Sequence, residues 1–176
     1  MTARLHHVKK ARKTYRGTGV KKGCEYWWWS FKFGPRHMSL TKPPRSRLTR
    51  SAFLGTIWDL EDGLKAQADA LAASEESLEA LAAACEQAAE EVRALGQECA
   101  STRDNMPQQL QDNPSNGGLL QERAEACETI ADALEDAASQ VRDAIGDLDG
   151  VANGDGDSTA IENAANAVTG VSWDAE

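Results

Sequence analysis

The stretch LEALAAACEQAAEEVRALGQEC, residues 78–99, sets Leu78, Cys85, Val92 and Cys99 seven residues apart, with Leu81, Ala88 and Leu95 on a companion seam. Two apolar positions per seven residues mark a helix that buries one stripe against another helix. The stripe extends backward through Leu71, Leu64 and Ile57 and forward to Met106, with Leu60 or Glu61 and Ala68 on the earlier seam, weakened at Gln67 and Ser74. This predicts one uninterrupted helix from Ser51 to about Arg103, capped by Thr49. At 1.5 Å per residue it is a rod about 75–80 Å long.

Asn105-Met106-Pro107 and Asp112-Asn113-Pro114-Ser115-Asn116-Gly117-Gly118 stop that helix and turn the chain. A second stripe follows at Leu120, Cys127, Leu134, Val141 and Leu148, flanked by Ala124, Ile130 or Ala131, Ala138 and Ile145. Two stripes joined by one polar loop imply an antiparallel helical hairpin, and alanines along the seam let the helices approach closely. The second helix, about 118–149, is shorter than the first. It leaves Phe53, Leu54, Ile57, Trp58, Leu60, Leu64 and Leu71 to be covered by the N-terminal region, by a weak third helix at about 158–169, or by a second copy of the chain in a homodimer. The third helix carries Ile161, Ala164, Ala165 and Val168 and follows an acidic linker, Asn153–Ser158, with Ser158 as its cap.

The net charge of −9 conceals two opposite halves. Residues 1–50 hold 14 lysines and arginines against the single acid Glu25, a net of +13, whereas residues 51–176 hold five against 27 acids, a net of −22. Such asymmetry marks a module aimed at a polyanion, joined to a solvated acidic body. The carboxylates Glu75, Glu76, Glu79, Glu86, Glu90 and Glu91 fall on the helix surface and are read as a solvated face, with nucleic-acid mimicry the sharper alternative. Cys24, Cys85, Cys99 and Cys127 lack CxxC spacing, and no secretory leader or membrane-length apolar run is present, so a reduced cytoplasmic protein is expected.

In the basic half, residues 1–16 are polar and without period, and little fixed structure is expected there. Gly17, Gly19 and Gly23 lead into Glu25-Tyr26-Trp27-Trp28-Trp29-Ser30-Phe31-Lys32-Phe33, an aromatic run suited to a strand. Gly34-Pro35 breaks it and residues 36–40 return, which reads as a β-hairpin. Strict alternation puts Trp27, Trp29, Phe31 and Phe33 inward and leaves Tyr26 and Trp28 as exposed aromatics. Residues 41–48 form a proline-stiffened basic connector, read as non-helical.

Nucleic-acid binding is the chemistry this composition favours. Lys9, Lys10, Arg12, Lys13, Arg16, Lys21, Lys22, Lys32, Arg36, Lys42, Arg45, Arg47 and Arg50 can neutralise phosphates, and Tyr26 and Trp28 can stack on bases. His6, His7, Cys24 and His37 share the region at no zinc spacing. Asn153-x-Asp155-x-Asp157 begins like a calcium loop, but Ser158 and Ala164 stand where glycine and glutamate are required. Neither a phosphate loop, nor a nucleophile elbow, nor a His-carboxylate pair at helical spacing occurs, so no enzyme and no cofactor are implied.

The order Lys-Ala-Arg-Lys (10–13), Val-Lys-Lys-Gly (20–23), Tyr-Trp-Trp-Trp-x-Phe-Lys-Phe-Gly (26–34) and Pro-Pro-Arg-Ser-x-Leu-Thr-x-Ser (43–51) resembles a group of tailed-phage proteins without an assigned activity. Asp104–Gln111 and Leu120–Glu125 are similar to the same group, so the likeness covers most of the chain. It implies a zinc-ribbon-like head, in which some members hold zinc with two CxxC pairs. Those positions fall at Lys13, Arg16, Met38 and Thr41 here, so the resemblance implies a head that has lost its metal and is held by its tryptophans.

The resulting expectation is a mainly α protein. Residues 1–48 form a basic aromatic β-hairpin head, residues 49–150 a long antiparallel two-helix coiled-coil hairpin, and residues 151–176 an acidic linker, short helix and tail. The expected function is that of a phage accessory protein in the bacterial cytoplasm. It binds RNA or DNA through the head and uses the acidic hairpin as a spacer or partner-binding arm. A modulator of a host protein acting through the rod, and a virion structural component, are the alternatives.

Overall fold

The computed structural model describes residues 2–72, 74–149 and 156–174. The chain is mainly α, with a small N-terminal antiparallel sheet, a long antiparallel helix pair and a short C-terminal helix. It divides into two compact units, residues 1–59 and residues 60–176.

In the first unit, β1 (His6–Val8), β2 (Tyr26–Ser30) and β3 (Arg36–Ser39) form a sheet in the order β1-β2-β3. The expected hairpin is β2–β3, with Trp28 opposite Met38 and Ser30 opposite Arg36. β1 is an addition: His6, His7 and Val8 pair with Trp28, Trp27 and Tyr26, so the polar N-terminal stretch, where little fixed structure is expected, completes the sheet. Thr2 bridges Thr49 and Ala3 N–H donates to Leu48 C=O, which ties the start of the chain to a 3-10 turn at Arg45–Leu48. That turn corrects the reading of the connector as non-helical. Pro43 and Pro44 precede it, so neither proline's missing N–H is needed inside it.

Helix α1 (Ala52–Asp69) begins under a serine cap, Ser51 Oγ accepting from Leu54 N, while Thr49 Oγ1 accepts from Ser51 N. The cap is thus two residues later than expected. Ile57 and Trp58 are buried, and the Arg45 guanidinium lies 4.2 Å over the Trp58 ring.

The predicted uninterrupted rod is broken: α1 ends at Asp69 and α2 (Glu75–Asp104) starts anew. Ser74 caps α2 by accepting from Ser77 N, and Glu75 and Glu76 place negative charge at its N-terminus. After α2, the short α3 (Gln108–Gln111) and a π-turn at Pro114–Gly118 reverse the chain. Gly117 is required at this corner, because a Cβ there would stand 2.1 Å from the Gln111 carbonyl oxygen.

Helix α4 (Leu119–Asp149) returns along α2. Leu78, Leu81, Cys85, Ala88, Val92 and Cys99 of α2 are buried, as are Cys127, Ile130, Ala131, Leu134, Ala138 and Val141 of α4, as the stripes predicted. Ala82, Ala89, Ala137 and Ala144 are buried too, so the packed face is wider than two seams. The helices approach closely at Gly96, where an added Cβ would lie 2.9 Å from Cys127 Cβ. Helix α5 (Gly156–Thr169) packs on α4 and touches α2, burying Ala160, Ala164 and Val168. It starts two residues before Ser158, the expected cap. The side chains of Leu148, Asp157 and Ser158, and residues 153–155 of the calcium-like motif, lie outside the described part. Among the described residues, no helix is long and apolar enough to cross a membrane.

Candidate nucleic-acid interface

The excursion between β1 and β2, residues 9–25, carries the densest positive charge. Its shape comes from hydrogen bonds across it: Ala11 N–H to Cys24 C=O, Gly23 N–H to Ala11 C=O, and Tyr15 N–H to Val20 C=O. Gly17, Gly19 and Gly23 take positive φ at its bends, which side-chain-bearing residues rarely adopt. Ala11 and Val20 point inward and form a small core with Tyr26, against which Val8, Tyr15, Trp28 and Met38 pack. With those residues inward, Lys9, Lys10, Arg12, Lys13, Arg16, Lys21 and Lys22 are all exposed. Thr14 Oγ1 accepts from Lys22 N, which joins the two arms of the excursion. Within the first unit, whose acids are Glu25 and Asp59, none of these seven cations pairs with a carboxylate.

Lys32, Arg36, Arg45 and Arg47 are also exposed, on the β2–β3 turn, on β3 and on the 3-10 turn. Arg47 and Arg50 line a groove of about 370 Å³ with Ser46, Thr49, Ser51 and Thr56. The only acid of the first fifty residues, Glu25, is engaged by His7 at 2.6 Å.

The two aromatics expected to stack on bases do not stand free. Tyr26 is only 5% exposed, and its hydroxyl donates to that of Tyr15 at 3.4 Å. That bond, with burial behind it, pushes the Tyr26 phenol upward from 10.0. Trp28 is half-buried, with the His6 ring parallel to it at 4.1 Å and the Arg36 guanidinium 4.2 Å from its centroid. With both groups against it, the ring does not stand free for a base. Alternation put Tyr26 and Trp28 on the same side correctly. It missed that the 9–25 excursion covers that side.

All three histidines of the chain are taken up in the same way. His6 stacks on Trp28, His7 on Trp27 at 4.6 Å, and His37 on Trp29 at 5.4 Å. Trp29 is buried as predicted, and Phe31 is half-buried with Arg50 5.1 Å over its ring.

Phe33, predicted to be core, is 97% exposed. Gly34 N–H donates to Phe31 C=O at 2.9 Å, which makes residues 31–34 a tight turn with Phe33 in its third position at φ 63°. Positive φ there belongs to the turn type that favours glycine or asparagine. A bulky side chain in that conformation costs about 1–2 kcal/mol. The aromatic run had suggested a longer strand, but Gly34-Pro35 forces the reversal two residues earlier, and Phe33 becomes its tip.

Zinc does not fit the positions that the family resemblance implies. Lys13, Arg16, Met38 and Thr41 offer no thiolate or imidazole, and Met38 instead packs on the core of Ala11, Val20 and Tyr26. Among the described residues, no three His, Cys, Asp or Glu side chains converge as a metal site.

In the second unit, Arg93 reaches across from α2 to Glu128, Asp132 and Glu135, three acids spaced along one face of α4. Arg142 of α4 reciprocates, 2.6 Å from Glu86. These bonds hold Glu86 and Glu135 below the ordinary carboxylate value. Glu75, Glu76, Glu79, Glu90 and Glu91 remain exposed.

Comparison with protein-family models, with curated proteins and with solved structures finds no match.

Proposed function

We propose that the protein is a phage accessory protein of the bacterial cytoplasm. It binds nucleic acid through its N-terminal unit and uses its acidic helices as a spacer or partner-binding arm. One observation carries the reading: seven cations between Lys9 and Lys22 face outward, held there by Ala11 and Val20, and pair with neither Glu25 nor Asp59 of their own unit. Unpaired cations at this density suit a phosphate backbone, because each phosphate neutralised releases condensed counterions. The phage assignment rests on the sequence resemblance. The protein is read as a binding protein and not an enzyme.

The reading is tested by titrating a fluorescent oligonucleotide, as RNA and as DNA, at several salt concentrations. Affinity falls steeply with rising salt, and replacing Lys9, Lys10, Arg12 and Lys13 by glutamate abolishes binding while far-UV circular dichroism is unchanged. Unaltered affinity in that variant rejects the proposal.

A second reading draws on the exposed carboxylates of α2: the acidic helices bind a host protein and the N-terminal unit only caps the fold. A protein partner retained from nuclease-treated bacterial lysate by full-length protein carrying the four glutamates favours this alternative.

A further inference from the structure

Phe33 joins three observations that the electrostatic reading does not use. Its ring is 97% exposed. Its backbone holds a conformation that glycine would adopt without strain, so the side chain is kept at the expense of the turn. Cations also stand close to it: Lys32 Nζ lies 5.3 Å over the ring, Arg36 opens β3 with its guanidinium on Trp28, and Arg50, over Phe31, lies so close to Gly34 that a Cβ there would stand 2.9 Å from its Nη2.

We propose that Phe33 is a base-stacking wedge for single-stranded nucleic acid, with Lys32, Arg36 and Arg50 taking the adjoining phosphates. An unpaired base offers a π-face to the open side of the ring, while the neighbouring cations meet its backbone. Strain at an exposed tip fits a contact made only in the complex. A membrane surface fits less well, because interfacial anchoring needs a larger apolar face. Among the described residues, the exposed large apolar side chains are only Phe33, Leu40 and Leu110. The proposal rests on the reading of the N-terminal unit as nucleic-acid binding, and its test separates the two.

The full chain is titrated into a 12-nucleotide thymidine-rich single strand carrying 2-aminopurine, into a blunt duplex, and into phosphatidylserine vesicles. Wild type quenches the 2-aminopurine on binding. Phe33→Gly and Phe33→Ala weaken single-strand affinity about 5- to 150-fold and lose the quench, with the salt slope unchanged because no phosphate contact is removed. Phe33→Trp retains both. Phe33→Gly also melts at a higher temperature than wild type, so its weaker binding is not a folding defect. Equal affinity and equal quench in wild type and Phe33→Gly overturn the wedge and leave the basic head standing. Absence of wild-type binding to either nucleic acid at low salt overturns both. Sensitivity to Phe33→Gly confined to vesicles overturns the wedge in favour of a lipid surface.

Discussion

Burial alone separates four chemically identical thiols. Cys24 is exposed, whereas Cys85 and Cys127 sit between helices and are pushed up to about 11, chiefly by desolvation. Cys99 is raised by the same cause. Since the thiolate is the nucleophile, native protein treated with iodoacetamide near pH 8 takes one label, at Cys24, and takes four after denaturation. Peptide mass spectrometry reads the positions, and early labelling of Cys85 or Cys127 contradicts the packing. The three buried cysteines were legible in the sequence because their seven-residue spacing put them in apolar seams. Phe33 was not legible: hydrophobicity assigns a phenylalanine to the core, and only the position of the turn, set by Gly34-Pro35, sends it outward. Tyr26 failed for a different reason. Its face of the sheet was read correctly, but the excursion that covers that face has no periodicity to announce it.

The stripes fixed which faces of α2 and α4 meet, since each fully buried leucine on them contributes roughly 1.5–3 kcal/mol and no other face offers as much. They also concealed the break before α2, because Leu71 and Leu78 keep their spacing across residues where the helix stops. The signal that marks it is local: Ser74 followed by Glu75 and Glu76 is a helix start. β1 was invisible because three residues, two of them histidine, make no alternating pattern. Between α2 and α4, Arg142 holds Glu86, and Arg93 holds Glu135, below the ordinary value of 4.5. A carboxylate lowered in the folded state adds stability that is complete above its unfolded value and lost as pH falls through the folded one. From about pH 7 to about pH 3, wild type therefore loses more stability than the double variant Arg93→Gln/Arg142→Gln, which has no such bonds to lose. Urea melts followed at 222 nm give the difference, and parallel losses contradict it.

The whole molecule sets two charge distributions of opposite sign on one chain, and salt acts on them in opposite directions. Residues 60–176 hold 26 acids against Lys65, Arg93, Arg103, Arg123 and Arg142, a net of −21. Self-repulsion at that imbalance outweighs the few exposed ion pairs, whose individual worth is small. Raising salt from about 0.05 to about 0.3 M screens the repulsion, so the helical melting midpoint rises while affinity for nucleic acid falls. A midpoint that drops with salt would mean that ion pairs dominate the acidic helices. This polarity needs only a count of charged residues along the chain. Where the cations face needed the structure, because it depends on two small apolar anchors, Ala11 and Val20.

The stacking of His6 on Trp28 and His7 on Trp27 leaves the alignment of β1 undecided by the aromatic rings themselves. Sliding β1 by one position would still bring both imidazoles opposite tryptophans, now Trp29 and Trp28, although such a slip turns every side chain to the opposite face. The choice falls to the less conspicuous neighbours. Val8 must reach the apolar cluster around Tyr26, His7 must meet Glu25, and Ala11 must donate to Cys24 C=O and accept from Gly23 N–H just beyond the strand. A ladder of interchangeable rungs is thus aligned by its lowest step.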